Sequence, residues 1–479
     1  MSPDRFCLPP MTDTRPAKPT VASTLACKYA LLPEGWASDV CISIDKQGDI
    51  VEVEANCRPL PSNALAGYLL PGIPNLHSHA HQRAIVGLTE KPGTNADSFW
   101  TWRNLMYRCL EHLTPDHMLS IASMAYLEML KSGYTSVAEF QYVHHDHHGS
   151  AYDNVAEMSL QTIRAANDTG IAITILPVLY CYSGFGDQPP LPEQRRFICN
   201  IDQFADIFQN LSTAICNDRN ASIGIAPHSL RAVNFIDLRN TLVNCATTAA
   251  RPIHIHIAEQ LAEVNACMHQ FGLAPISWLR ENFDLDTNWC LVHATHASLV
   301  EIESIAKCGA VVGLCPTTEA NLGDGIPDLA SLIEHNGRIG IGSDSQCTID
   351  PVEEMRWLEY GQRLKRLTRN VFATEPSKST GREVFDRVTM GGAQACGRQS
   401  GRIAQGYRAD FLVVDTNHPR LFGRIADDFL DSWIFSTSAN LVRHVFVGGK
   451  QIIRDYRHPG ETKINARFQE SMLDLMDHL

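Results

Sequence analysis

Residues 71–84 read PGIPNLHSHAHQRA: a Pro-Gly turn signal, a short apolar segment, then His77-Ser78-His79. On a β-strand the side chains at i and i+2 point to one face, so His77 and His79 aim two imidazoles at one point at a strand's end. Neutral imidazole is a common metal ligand, and a divalent metal turns water into a nucleophile near neutral pH. The stretch therefore reads as the first metal-binding element of a hydrolase. An HxH triplet alone is a weak motif. This chain has 20 histidines and repeats the spacing at His145/His147 and His254/His256. The weight of the first pair comes from what recurs downstream.

Seven further runs share its buried, apolar character: TSVAEFQYVHH (135–145), IAITILPVLY (171–180), SIGIAPHS (222–229), PIHIHIAE (252–259), WCLVHATH (289–296), AVVGLCPTTE (310–319) and RIGIGSDS (338–345). Helical stretches separate several of them. The first is bounded at both ends: Thr114 suits an N-cap, Pro115 the first turn, Met118, Ile121, Ala122, Ala125 and Met129 recur at helical spacing, and Gly133 ends it. Eight such units predict an α/β fold, a (β/α)8 TIM-like barrel over 71–400 with its active site at the strands' C-terminal ends. Outside it lie short alternating runs, ASDVCISID and GDIVEVEA on one side, RADFLVVD and HVFVGGKQIIRD on the other, the last with a Gly448-Gly449 hairpin signal. They predict a small β-sandwich domain built from both chain ends, 23–70 plus 401–479. Residues 1–22 read as a flexible extension.

Lys and Arg number 40 against 53 Asp and Glu, a net charge of −13, with no basic block. That argues against nucleic acid and anionic membrane as partners, and no apolar run is long enough to span a membrane. The 15 cysteines form no CxxC and no signal-type apolar region precedes them. The expectation is reduced thiols in a cytoplasmic protein.

The chemistry gathers at the strand tips. Strand one carries His77 and His79, strand five His256 and then Glu259, strand six His293, strand eight Asp344. Three histidines and an aspartate make a first coordination set for zinc or another divalent metal, leaving a position for water. Each has a bland reading alone: His293 bonding a carbonyl, Glu259 a solvated helix start, Asp344 an N-cap. The HHDHH run at 144–148 reads as a loop and not as a second metal site.

With these residues in barrel order, the chain resembles the amidohydrolase superfamily. HIAE and HATH resemble its deaminase branch, which uses a single metal. PNLHSHAHQRA-x3-GLTE, SFWTWRNLMYR, HIHIAEQ-x2-EV and GLCPTTEANLGDGI resemble its formimidoylglutamate deiminase family. One departure is His81, where that family is expected to carry Phe. The resemblance implies one divalent metal ion per chain, with zinc the leading candidate. It also implies hydrolysis of a formimino group to a formyl group with release of ammonia, a step of histidine degradation. By the same analogy His77, His79, His256 and Asp344 hold the metal, His293 and Asp344 take the proton of water, and Glu259 protonates the imine nitrogen. The implied substrate is a small amino-acid derivative with two carboxylates. The positions matching the family's substrate contacts are Gln82, Arg103, Tyr142, His228 and Arg231; Trp100 and Trp102 read as packing residues of a loop. A homodimer is the family-level expectation.

Two alternatives remain open on sequence. A deaminase of a heterocyclic amine such as guanine keeps the metal set but needs a flat apolar slot and few cations. A non-enzymatic scaffold on the same fold is disfavoured by the intact ligand set.

Overall fold

A computed structural model describes residues 20–90, 99–245, 251–375 and 378–478, the side chains of 99–101 excepted. Residues 1–19 of the expected extension lie outside the described residues, and Val21 and Ala22 open the first strand.

Strands β1 (Val21–Leu32), β2 (Gly35–Asp45), β3 (Ile50–Glu54) and β4 (Leu65–Pro71) come first. The turn between β2 and β3 forms because the Asp45 carboxylate accepts the backbone N–H of Gln47 and of Asp49. Eight segments follow at the expected runs, the fourth in two pieces: β5 (Ile73–Ser78), β6 (Tyr134–Gln141), β7 (Ala172–Leu179), β8 (Ala221–Ile223), β9 (Ala226–Pro227), β10 (Ile253–Ile257), β11 (Trp289–His293), β12 (Val311–Leu314) and β13 (Arg338–Ile341). The split lies at Gly224, where an added Cβ would meet Leu176 Cδ2 and the Pro252 carbonyl at 2.6 Å each. Strands β14 (Phe411–Val414), β15 (Val442–Val447) and β16 (Lys450–Ile453) close the order.

Helices alternate with the middle strands. The one over Pro115–Ser132 has the predicted ends: the Thr114 hydroxyl accepts the His117 backbone N–H, and Gly133, at φ +114°, donates its N–H to the carbonyls of Met129 and Leu130. Its buried face carries Met118, Ile121, Ala122, Ala125 and Met129.

The result is a mixed α/β fold with two parallel sheets, β5-β6-β7-β8 with β9 paired to β7, and β10-β11-β12-β13. They meet at both edges through parallel bridges, Ser78 to Asp344 on one side and Ile225 to Ile253 and Ser229 to His256 on the other. Both faces are covered, so β6, β7, β11 and β12 are buried along their whole length. The chain ends share one seven-stranded sheet in the order β16-β15-β14-β4-β1-β2-β3. The β15–β16 hairpin turns on Gly448 and Gly449, both at positive φ. Fourteen described cysteines are free thiols. No helix among the described residues is long and apolar enough to cross a membrane.

Candidate active site

The ends of the parallel strands converge. His77 lies on β5 and His79 one residue beyond it, His256 near the end of β10, His293 at the end of β11, and Asp344 three residues past β13. The Nε2 atoms of His77 and His256 are 3.0 Å apart. Asp344 Oδ1 lies 3.5 Å from His77 Nε2 and 3.4 Å from His79 Nε2. All five residues are buried.

Two of the rings have their protons committed elsewhere. His79 Nδ1 is 3.0 Å from the Phe140 carbonyl and His256 Nδ1 is 3.1 Å from the His228 carbonyl. A carbonyl only accepts, so the proton of each neutral ring sits on Nδ1 and the bare Nε2 lone pair faces the centre. Burial holds His77 down at about 3, so it too is neutral. Burial pushes Asp344 up, but its contact with His77 and the fields of His79 and His293 bring it below the usual carboxylate range. The Nε2 lone pairs of His79 and His256 thus face the same centre as the Asp344 carboxylate. That arrangement repels unless a cation lies among them, and an N3O set of this kind fits zinc, iron or manganese. His77, His79 and Asp344, and likewise His77, His256 and His293, present ligand atoms close enough to share one ion.

His293 is held differently. Its Nδ1 is 3.3 Å from Glu319 Oε1, and its Nε2 is 3.8 Å from both Glu259 Oε1 and Asp344 Oδ2. Burial alone would depress its pKa, yet Glu259, Glu319 and Asp344 raise it to about 10. Glu319 also accepts the Cys315 backbone N–H at 2.9 Å, which pins the carboxylate. Sequence reasoning missed Glu319, although it sits in the PTTE motif at the tip of strand seven. Replacing it by Gln is expected to lower kcat about 10–100-fold, the range seen when a residue orienting a site histidine is lost. Steady-state kinetics checks this, with unchanged metal content showing that the fold and ligand set survive.

Backbone conformation marks the same place. Ala258, His293, Ala294 and Asp344 all have positive φ between 46° and 72°. Non-glycine residues hold that region only where their surroundings enforce it, commonly at functional sites. Glu259 is buried beside this turn, and Glu263 accepts its backbone N–H at 3.1 Å. Burial raises the Glu259 carboxyl pKa, while His293 and Arg231 pull the other way.

One cavity opens onto this cluster. Gln82, Arg103, Tyr142, His228, Arg231 and Glu259 all line it, together with His79, His256, His293 and Asp344; His77 lies beneath. The residues proposed from sequence to hold a metal, act as acid or base, or bind substrate all line this space except His77. Arg231 Nε is buried without a hydrogen-bond partner. Burial disfavours its charge, but Glu263, Tyr180 and Glu259 more than offset that and its pKa is raised. Gln82 Nε2 donates to the Tyr142 hydroxyl at 3.0 Å.

One reading is revised. Trp102 does not belong to a loop: it lies on the helix Phe99–His112 and lines the cavity; the Trp100 side chain is outside the described residues. Tyr107 and Tyr180 line the cavity as well and were not foreseen, although Tyr107 is inside the SFWTWRNLMYR motif. The HHDHH run is a loop, as expected, and its buried members bond the backbone: His144 Nε2 lies 2.8 Å from the Val178 carbonyl and His145 Nε2 2.8 Å from that of Ile198. His254, from the third HxH, bonds the Ala395 carbonyl in the core.

Comparisons with known proteins agree with this geometry. A family model described as "Amidohydrolase family" matches residues 68–452. The formimidoylglutamate deiminase of Pseudomonas aeruginosa is 46% identical over 455 residues, 95% of this chain and 100% of that protein. A 5-methylthioadenosine/S-adenosylhomocysteine deaminase of Natronomonas pharaonis is 25% identical over 81% of each chain. Among solved structures, an amidohydrolase from Brucella melitensis superposes with a TM-score of 0.90 at 39% identity, covering 95% of this chain and 99% of that one. An adenosine deaminase from Xanthomonas campestris with bound zinc reaches 0.77 at 18% identity, covering 95% and 98%, a likeness of fold alone.

Proposed function

The chain belongs to the amidohydrolase family, and on that premise we propose that it hydrolyses N-formimino-L-glutamate to N-formyl-L-glutamate and ammonia. The observation that carries this reading is the meeting of a metal-binding set and two arginines in one cavity. His77, His79, His256 and Asp344 hold one divalent ion, zinc by preference, on the closed (β/α)8 barrel that the two bridged sheets support, beside the β-sandwich of the chain ends. When bound, that ion supplies Lewis-acid activation of water near neutral pH.

The chain's own residues do the rest. Arg103 and Arg231 grip the two carboxylates, a task suited to the guanidinium fork, with Gln82, Tyr142 and His228 fixing the orientation. His293, whose charged form a neighbouring divalent cation would disfavour, is then neutral, and with Asp344 it accepts the proton of the attacking water. Glu259 delivers a proton to the terminal imino nitrogen, so that ammonia leaves and the C–N bond to glutamate stays as the formamide of the product. The same reading makes this a cytoplasmic enzyme of histidine degradation working as a homodimer.

Removing one guanidinium tests the grip. Arg231→Ala is expected to raise KM about 10–100-fold, the equivalent of one lost charged hydrogen bond of about 1.5–3 kcal/mol. An unchanged KM would remove Arg231 from substrate binding.

A heterocyclic amine is the second reading. The aromatic wall of Trp102, Tyr107, Tyr142, Tyr180 and Phe197 favours it, because such rings stack on a flat base. Two arginines in the lining weigh against it, since a neutral ring offers their guanidinium forks no carboxylate to bind. Measuring kcat/KM for N-formimino-L-glutamate and for guanine on one metal-loaded preparation decides between them. The proposal requires the first to exceed the second by orders of magnitude, and the reverse order overturns it.

A further inference from the structure

His81 stands where the resembling family is expected to carry Phe, and it is not idle. It is buried, lies outside the cavity lining, and places Nε2 2.9 Å from the Tyr142 hydroxyl. Tyr142 does line the cavity, and its ring packs edge-on against His81 with centroids 4.9 Å apart. The hydroxyl oxygen already accepts the Gln82 amide N–H at 3.0 Å. Its other neighbour is the Met106 thioether, 3.8 Å away, a weak acceptor.

Hydrogen-bond accounting assigns the direction of the His81 contact. His81 Nδ1 is buried with no partner. A proton on Nδ1 would be a buried donor with nowhere to go, an arrangement native interiors rarely tolerate. A proton on Nε2 has the Tyr142 oxygen as acceptor. The imidazolium form donates from Nε2 in the same way, so the conclusion does not depend on the charge of the ring. A phenolic oxygen has one proton and two acceptor sites. Gln82 fills one and His81 the other, leaving the O–H with only a thioether to satisfy it.

We infer that His81 is a positioning residue that makes Tyr142 an obligate hydrogen-bond donor, aimed through the cavity wall at an anionic oxygen of the substrate. The inference rests on the formiminoglutamate reading for the identity of that oxygen, one of the two carboxylates. With Phe at this position the hydroxyl keeps a free acceptor site and rotates between donor and acceptor roles. With His81 it is committed before the substrate arrives, so less orientational freedom is lost on binding.

The test uses the full-length metal-loaded enzyme with His81→Phe, His81→Gln, Tyr142→Phe and the His81→Phe/Tyr142→Phe double variant. His81→Phe is expected to raise KM about tenfold with kcat within twofold. His81→Gln, whose amide N–H replaces the imidazole donor, is expected to recover KM to within about threefold of wild type. In the Tyr142→Phe background His81→Phe should add less than twofold, because its effect runs through the missing hydroxyl. Multiplicative effects of the two substitutions, or a loss confined to kcat, would overturn the inference. A second readout needs no turnover: ¹⁵N-histidine NMR, with His81→Phe identifying the signal, should show a protonated Nε2. A protonated Nδ1 with bare Nε2 would refute the assignment. A wild type inert toward formiminoglutamate would instead defeat the substrate reading, and with it the carboxylate as the target of Tyr142, whatever the NMR shows.

Discussion

Glu259→Gln is expected to lower kcat about 10²–10⁴-fold, the usual contribution of a positioned acid–base group, with KM within a few-fold of wild type. Gln is nearly isosteric and keeps a polar end in the cavity, so the substitution isolates the proton. Burial shifts the Glu259 carboxyl toward its protonated form, and its Oε1 lies 3.8 Å from His293 Nε2, next to where water must sit. In its protonated form it is therefore poised to give a proton to the nitrogen that leaves. The amide cannot do this. Metal analysis of the variant should match wild type, because Glu259 is outside the ligand set. A kcat within twofold of wild type would take the proton-transfer role away from Glu259.

Stripping the metal should have the other large effect. Extended dialysis against a chelator is expected to reduce activity by about 10³-fold or more, because Lewis-acid activation of water is worth several kcal/mol and each 1.36 kcal/mol is tenfold in rate. It should also lower the melting temperature. An ion present at a hundred times its dissociation constant stabilises the folded chain by about 2.7 kcal/mol, and without it the bare Nε2 of His79 lies 3.4 Å from the buried Asp344 carboxylate. Adding back one equivalent of zinc should restore both. Full activity and an unshifted melting temperature in protein shown to be metal-free would contradict the assignment of His77, His79, His256 and Asp344 as ligands.

The parallel strands were legible because burial on both faces writes itself as unbroken apolar runs, and the tips were legible because histidines end those runs. The helix from Pro115 was readable to the residue, since Thr114, Pro115 and Gly133 each answer a specific backbone need at a helix end. Other features have no local signal. β1 pairs with β4 in parallel and with β2 antiparallel, and nothing in an alternating strand states its partner's direction. At the break between β8 and β9 only glycine fits, because a Cβ on Gly224 would meet Leu176 and the Pro252 carbonyl from distant parts of the chain.

The same division runs through the candidate site. Residues that would touch a metal or a substrate lie in motifs, and all of them but His77 line one cavity. Residues that act through another side chain were harder to see. Glu319 looks like a solvated helix residue until folding sets it 3.3 Å from His293. Tyr180 ends an ordinary apolar strand, and only the cavity gives its ring a role. His144 and His256 both end apolar runs; the first meets a carbonyl and the second meets His77, a difference made wholly by tertiary structure.

The most direct test of the account is product analysis by NMR after turnover of N-formimino-L-glutamate by metal-loaded wild-type protein. The account predicts N-formyl-L-glutamate and ammonia in equal amounts, because Glu259 protonates the terminal nitrogen. Glutamate with formamide would show that the other C–N bond breaks, and no turnover in protein holding one metal per chain would show that the substrate is wrong; either result contradicts the central claim.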